Sequence, residues 1–188
     1  MSLVDSHTYI YIMDTNNTDS LLPHVRLRAM EPEDLEMLYD LENDPSVWDV
    51  SATNVPYSRK VLIEYITSSR CDIYADGQVR LMVDNEEGET VGIVDLTSFD
   101  PQHRRAELGI VIKRAYRGKG FGKSILYEIC QYARQVIHLH QIYAIVSREN
   151  TNCLSLLKMF GFQGDMCLKD WVLKDEEYGD AYFLQKIL

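Results

Sequence analysis

One stretch restricts the possible folds more than any other: residues 105–123, where a strand pattern runs without a break into a glycine turn and a helix start. Residues 105–113 alternate and then become continuously apolar at Leu108-Gly109-Ile110-Val111-Ile112. A short apolar run bounded by charged residues reads as a central strand, buried on both faces. Gly118, Gly120 and Gly122 follow, and beyond them Ile125, Leu126, Ile129, Ala133, Val136 and Ile137 recur at helical spacing as an inward face. Glycines let backbone amides approach an anion, and a helix start adds the positive end of its dipole. Between positions 113 and 123 stand Lys113, Arg114, Arg117, Lys119 and Lys123, with no acid among them. Such a turn suits a nucleotide diphosphate.

Spacing separates three anion motifs that could occupy it. A Walker loop requires Gly-x-x-x-x-Gly-Lys-Ser/Thr. Gly122-Lys123-Ser124 supplies the end of that motif, but Arg117 stands where its first glycine belongs. The dinucleotide fingerprint Gly-x-Gly-x-x-Gly begins at Gly118 and Gly120 and then meets Lys123. The pattern Arg/Gln-x-x-Gly-x-Gly/Ala is complete, with Arg117, Gly120 and Gly122. The plain alternative is a glycine turn ahead of a helix that holds no ligand.

The rest of the chain supplies context. Residues 24–30 alternate as a half-buried strand. Glu31-Pro32-Glu33-Asp34 opens a helix, with proline early and acids at the positive end of the dipole. Residues 57–69 read as a second helix, and 79–84 and 90–99 as strands joined by a turn through Asn85 and Gly88. A strand at 141–146, a helix at 151–160 stopped by Gly161, and a closing hairpin at 166–173 and 180–187 follow. The order β-α-α-β-β-β-α-β-α-β-β describes an α/β domain on a mixed sheet, without repeat or linker. Residues 1–22 form an extension of uncertain structure and 23–188 the domain.

Composition narrows the function classes. The net charge of −10 argues against unaided nucleic-acid binding. No apolar run is long enough to span a bilayer, and no basic, then apolar leader opens the chain, so a cytoplasmic protein is expected. Cys71, Cys130, Cys153 and Cys167 form no Cys-x-x-Cys pair, and the histidines make no zinc pattern, so free thiols and no metal site are expected. Residues 31–49 carry eight acids and no Lys or Arg, a segment that could attract a cation. Self-association stays open.

With the strand, glycine turn and long helix, and then Asn150 leading a helix that ends in Gly161-Phe162, the chain resembles the GNAT superfamily of N-acetyltransferases. The likeness covers roughly residues 24–188 in element order, with specific motifs at 105–123 and 150–162. It implies a single α/β (α+β) domain whose mixed, mostly antiparallel sheet is flanked by helices, and acetyl-CoA as co-substrate. Ile110, Val111 and Ile112 would then meet the pantetheine and thioester. Arg117, Gly118, Lys119, Gly120, Phe121, Gly122 and Lys123 would hold the diphosphate, and Asn150 the pantetheine. Asn150 also stands where a plain helix cap belongs. His103-Arg104-Arg105-Ala106-Glu107 looks like the bacterial spermidine N-acetyltransferases, while the segments 25–43 and 177–181 suit both these and the ribosomal-protein N-terminal acetyltransferases.

The implied reaction is attack of a neutral amine on the thioester. An alkyl ammonium titrates near ~10.4, so a base must take its proton, and Glu107 is the candidate, against a plain reading as a surface partner of Arg104 or Arg105. Glu33, Glu36 and Asp40 are candidates for holding a cationic acceptor, against a plain reading as a solvated helix face. Leu157 stands in the donor site where the spermidine enzymes have the tyrosine that protonates the leaving sulfur. Ser155, Tyr143 and Tyr116 are the possible substitutes. The expected acceptor is a polyamine-like small amine, with a peptide N-terminus as the alternative. A coenzyme-A-binding module without catalysis is the rival class.

Overall fold

The computed structural model describes residues 22–45, 55–174 and 176–188. Most of the N-terminal extension and Asp49 lie outside them. The elements are β1 (Arg26–Arg28), α1 (Leu35–Glu42), α2 (Arg59–Ser68), α3 (Ile73–Asp76), β2 (Val79–Asp84), β3 (Thr90–Asp100), β4 (Arg105–Ile112), α4 (Phe121–Gln135), β5 (Gln141–Ser147), α5 (Thr151–Met159), β6 (Gln163–Lys174) and β7 (Glu177–Ile187). Single 3-10 turns occupy Pro32–Asp34 and Arg114–Tyr116.

Where local structure departs from the sequence reading, the cause is visible. The first helix opens as a 3-10 turn because Pro32 follows Glu31 and the Asp34 side chain folds back to accept the Glu31 amide at 2.9 Å. The α3 turn has one buried apolar anchor, Ile73, and so carries no periodicity to read; Asp72 caps it and Gly77 ends it at φ 70°. Val136 does not face inward. Helix α4 has ended at Gln135, and Val136 is 47% exposed while Ile137 turns back into the core.

The seven strands form one sheet in the order β1-β2-β3-β4-β5-β7-β6, antiparallel throughout except between β4 and β5. Strand alternation splits the apolar residues between two faces. On one face Met30, Leu38, Leu41, Leu62 and Ile66 of the α1–α2 layer cover Met82 and Ile93. On the other, Ile125, Leu126, Ile129 and Ala133 of α4, with Leu154 and Leu157 of α5, cover Leu81, Val94, Leu108 and Ile142. All four cysteines are free thiols.

The β4–β5 pairing is short. Arg105, Ala106 and Glu107 pair with Gln141, Ile142 and Tyr143, and then the strands part. β4 continues on β3 to Ile112, and β5 continues on β7 to Ser147. The apolar run of β4 is therefore not a fully covered central strand: Leu108 is buried, but Ile110, Val111 and Ile112 are only half-buried.

Two half-buried arginines tie the α1 layer to the sheet. Arg28 binds Asp34 through both terminal nitrogens at 2.7 and 2.8 Å and Asp84 through Nε at 2.6 Å. Burial alone would raise the Asp34 pKa, but the Arg28 hydrogen bond, the Glu31 amide and the charges of Arg28 and Lys113 outweigh it and hold the carboxyl below its usual range. A depressed carboxyl stabilises the fold above its unfolded pKa of ~3.9, and that stabilisation is lost as pH falls through the folded value. Asp34→Ala should lower the unfolding free energy at pH 7 by about 3 kcal/mol, because it leaves Arg28 short of a buried partner. Urea midpoints measured from pH 7 down to 3 should show the wild type converging on the variant at the acid end. A constant difference across that range would contradict this role.

Candidate active site

The parting of β4 and β5 creates a groove with a defined backbone edge. In a ladder, successive residues direct their N–H and C=O groups to opposite sides. Lys113 donates to Val91 O at 2.9 Å, and the Val111 carbonyl faces Gly92 of β3. Ile110 and Ile112 therefore present their backbone groups to the groove, while Val111 belongs to the β3 side and packs against the α1–α2 core. The Ile112 carbonyl already accepts Arg117 Nε at 2.8 Å, so Arg117 fastens the glycine turn to the end of the strand.

That turn leads into α4. Gly118 and Gly120 have φ of 75° and 92°, a region that favours glycine, and Gly120 is the helix N-cap. Lys123 and Ser124 donate back to the Gly120 carbonyl. The amides of Phe121 and Gly122 precede the first intrahelical acceptor and are placed for an outside anion. Phe121 itself is buried, and Lys119 is exposed beside the turn. The bareness of Gly120 also has an internal reason: a Cβ there would stand 3.0 Å from Pro23 Cδ. Pro23 is further tied down because the buried Ser124 hydroxyl donates to its carbonyl at 2.6 Å.

Helix α5 follows β5 in the chain. Asn150 caps it by accepting the Cys153 amide at 3.1 Å, which leaves the Asn150 side-chain amide hydrogens for another partner. Leu157 is only 2% exposed and packs in the core among α4 and the sheet. The α5 residue that reaches the turn is Leu156, which the sequence reading missed. Its Cδ2 lies 2.9 Å from where a Cβ on Gly122 would stand, beside Ile112.

Glu107 is the last β4 residue paired with β5 and stands opposite Tyr143. Ala106 and Leu108 enter the α4 core, so alternation places Glu107 on the α1–α2 face. Its carboxylate accepts a long hydrogen bond from Ser98 at 3.3 Å, and the neighbouring Arg105 pairs with Asp100 instead. Ile110 is three residues further along the strand, roughly 10 Å. Tyr143 stacks on Phe183, the Tyr116 hydroxyl donates to Glu89 at 2.8 Å, and Ser155 is exposed.

Five of the seven described acids in residues 31–49 fall into two sets. Glu33, Glu36 and Asp40 are exposed at helical spacing, but Glu36 is held bidentately by Arg59 of α2, whose guanidinium also lies 3.8 Å over the Tyr39 ring. Asp34 and Glu42 turn inward to Arg28 and Arg80. Arg80 binds Asp95 at 2.7 and 2.9 Å. Burial alone would lower the Arg80 pKa; the charges of Asp95 and Glu42 reverse that and raise it. Asp95 pairs with Gly109, so this cluster lies on the α1–α2 side of β4. Sequence reasoning missed it because its partners are 15 and 38 residues away from Arg80. A charged residue inside the apolar strand Val79–Asp84 was the available signal.

The chain is similar to known acetyltransferases. Residues 24–163 match the acetyltransferase (GNAT) domain model. The chain is 31% identical over 138 residues to the spermidine N(1)-acetyltransferase of Escherichia coli K12, covering 73% of this chain and 72% of that one. A crystal structure of the Vibrio cholerae spermidine N-acetyltransferase in complex with CoA and spermine superposes with a TM-score of 0.80 at 25% identity, covering 87% and 95% of the two chains. A dodecameric structure of the Vibrio cholerae enzyme gives a TM-score of 0.75 at 26% identity, with 87% and 94% covered.

The glycine turn yields a test that spares the fold. Lys119 is exposed and its ammonium lies over the Tyr116 ring, so Lys119→Glu should leave the thermal midpoint nearly unchanged. If the coenzyme's diphosphate lies at this turn, replacing attraction with repulsion there should weaken coenzyme A binding about tenfold or more. Titration calorimetry checks this, and an unchanged Kd would move the diphosphate away from this turn.

Proposed function

The chain belongs to the GNAT acetyltransferase family, and on that premise we propose that it transfers acetyl from acetyl-CoA to a primary amine of a polyamine-like small molecule. The observation that carries this reading is the parting of β4 and β5 directly above the Arg117–Lys123 turn. The turn suits the diphosphate, and the Ile110 edge lies along the path of an extended pantetheine. Donor and acceptor then meet at β4 from opposite faces of the sheet.

The amine nitrogen attacks the thioester carbonyl, the new C–N bond forms, and the C–S bond breaks. Glu107 accepts the amine proton through water, since it lies on the acceptor face roughly 10 Å from Ile110. Leu157 offers no proton to the sulfur. A thiol titrates near ~8.5, so the sulfur can leave as thiolate near neutral pH with only a modest penalty. Placing a polycation on the α1 side rests on the exposed Glu33 and Asp40 of that layer, and a polycationic acceptor fits the spermine in the complex of the Vibrio cholerae relative. Glu36 contributes less because Arg59 neutralises it. Self-association fits the closing hairpin, where Met166, Trp171, Leu173 and Tyr178 are exposed.

Release of free thiol from acetyl-CoA, followed with spermidine, spermine and a panel of N-terminal peptides, tests the acceptor. Turnover is expected with the polyamines, with a KM that rises with ionic strength because exposed charges are screened over ~8 Å at physiological salt. Glu33→Gln with Asp40→Asn should raise that KM further and leave a singly charged peptide little affected. Turnover of peptides alone would assign the protein to terminal acetylation instead. Glu107→Gln should lower kcat by about 10²-fold or more with spermidine, and an unchanged kcat would remove Glu107 from the mechanism.

A further inference from the structure

We propose that Tyr116 and Glu89 form a brace that positions the diphosphate-binding turn, so that the β2–β3 hairpin sets the affinity for the donor. This inference rests on the acetyl-CoA reading above and adds two positioning residues to it.

Tyr116 lies in the 3-10 turn Arg114–Tyr116, between the end of β4 and the glycines. Its hydroxyl donates to Glu89 Oε2 at 2.8 Å, 27 residues away in sequence. The Glu89 carboxylate also accepts Asn85 Nδ2 at 3.1 Å, and the Glu89 amide donates to Asn85 Oδ1 at 2.8 Å. The backbone closes the same loop: Asn85 donates to Glu89 O at 2.9 Å and Gly88 to Asn85 O at 3.1 Å. The exposed Glu89 carboxylate thus sits just before β3, tied into the β2–β3 turn through its side chain and its backbone.

The Tyr116 ring reaches the ligand side. It meets Phe121, the first residue of α4, edge to face at 5.5 Å between centroids. The Lys119 ammonium lies 5.6 Å over its face. One side chain therefore contacts both the residue whose amide opens the helix and a cation of the turn. Glycines at 118 and 120 make this segment locally permissive, so its conformation has to be fixed from outside. Arg117 fixes it to β4 and the Tyr116–Glu89 bond fixes it to the hairpin. A preordered anion site binds more tightly because less ordering remains to be done when the ligand arrives.

The test compares wild type, Tyr116→Phe, Glu89→Ala and the double variant by coenzyme A titration. Steady-state kinetics then use acetyl-CoA and, separately, acetyl-pantetheine, which lacks the diphosphate. Each single variant should raise the Kd for coenzyme A and the KM for acetyl-CoA roughly threefold to tenfold, and Glu89→Ala, which keeps the Tyr116 hydroxyl, should leave kcat at saturating donor unchanged. The double variant should be no worse than either single one, since both remove the same bond. With acetyl-pantetheine all four proteins should behave alike. Equal coenzyme A affinity in wild type and Tyr116→Phe overturns the brace alone, as does an equal loss with acetyl-pantetheine. Failure of the wild type to bind coenzyme A overturns the brace and the proposed function together.

Discussion

Every strand edge must find partners for its backbone N–H and C=O groups, and β4 runs from Leu108 to Ile112 beyond its last pairing with β5. That stretch remains extended because β3 holds its other edge through Ile112. Most other features of the site depend on this one-sided support. It leaves Ile110 open, and it aims the chain at the end of β4 into the glycine turn. It also separates the sheet into two halves that α4 joins across one face. A β5 that stayed paired through Ser147 would remove the groove without changing a single element boundary.

The α1–α2 layer is held against the sheet by two half-buried arginines, each bridging acids from different elements. Arg28 joins α1 to β2, and Arg80 joins α1 to β3. These clusters explain why so acidic a segment packs against the domain: its inward acids meet internal cations while Glu33 and Asp40 remain in solvent. The layer therefore presents negative charge on the side of β4 opposite α4. A mobile polycation would be drawn there, whereas the cations of the turn would draw an anionic donor to the other side.

Periodicity made most of the fold legible. The helix α4 and the strands β2, β3 and β5 carry enough apolar repeats to be placed within a residue or two, and the spacing of Arg117, Gly120 and Gly122 marked the turn. What stayed hidden was set by distant pairings. A continuous apolar run from Leu108 to Ile112 reads as covered on both sides, and only topology shows that β5 departs. The pairing of Glu36 with Arg59 and the bond from Tyr116 to Glu89 join residues 23 and 27 positions apart, so neither acid could be sorted into ligand or strut from its own neighbourhood. Leu156 and Leu157 are adjacent in one helix, and their roles separate only once the helix is seated over Gly122.

If the parted strands and the turn below them form the donor site, ligand-linked stability reads it most directly. A ligand that binds only the folded state at about 100 times its Kd adds about 2.7 kcal/mol to the unfolding free energy. Thermal or urea unfolding of the full chain with and without acetyl-CoA should show a gain of that size at such an excess, and little gain with acetate alone. An unfolding transition that acetyl-CoA leaves in place at millimolar concentration would contradict the account.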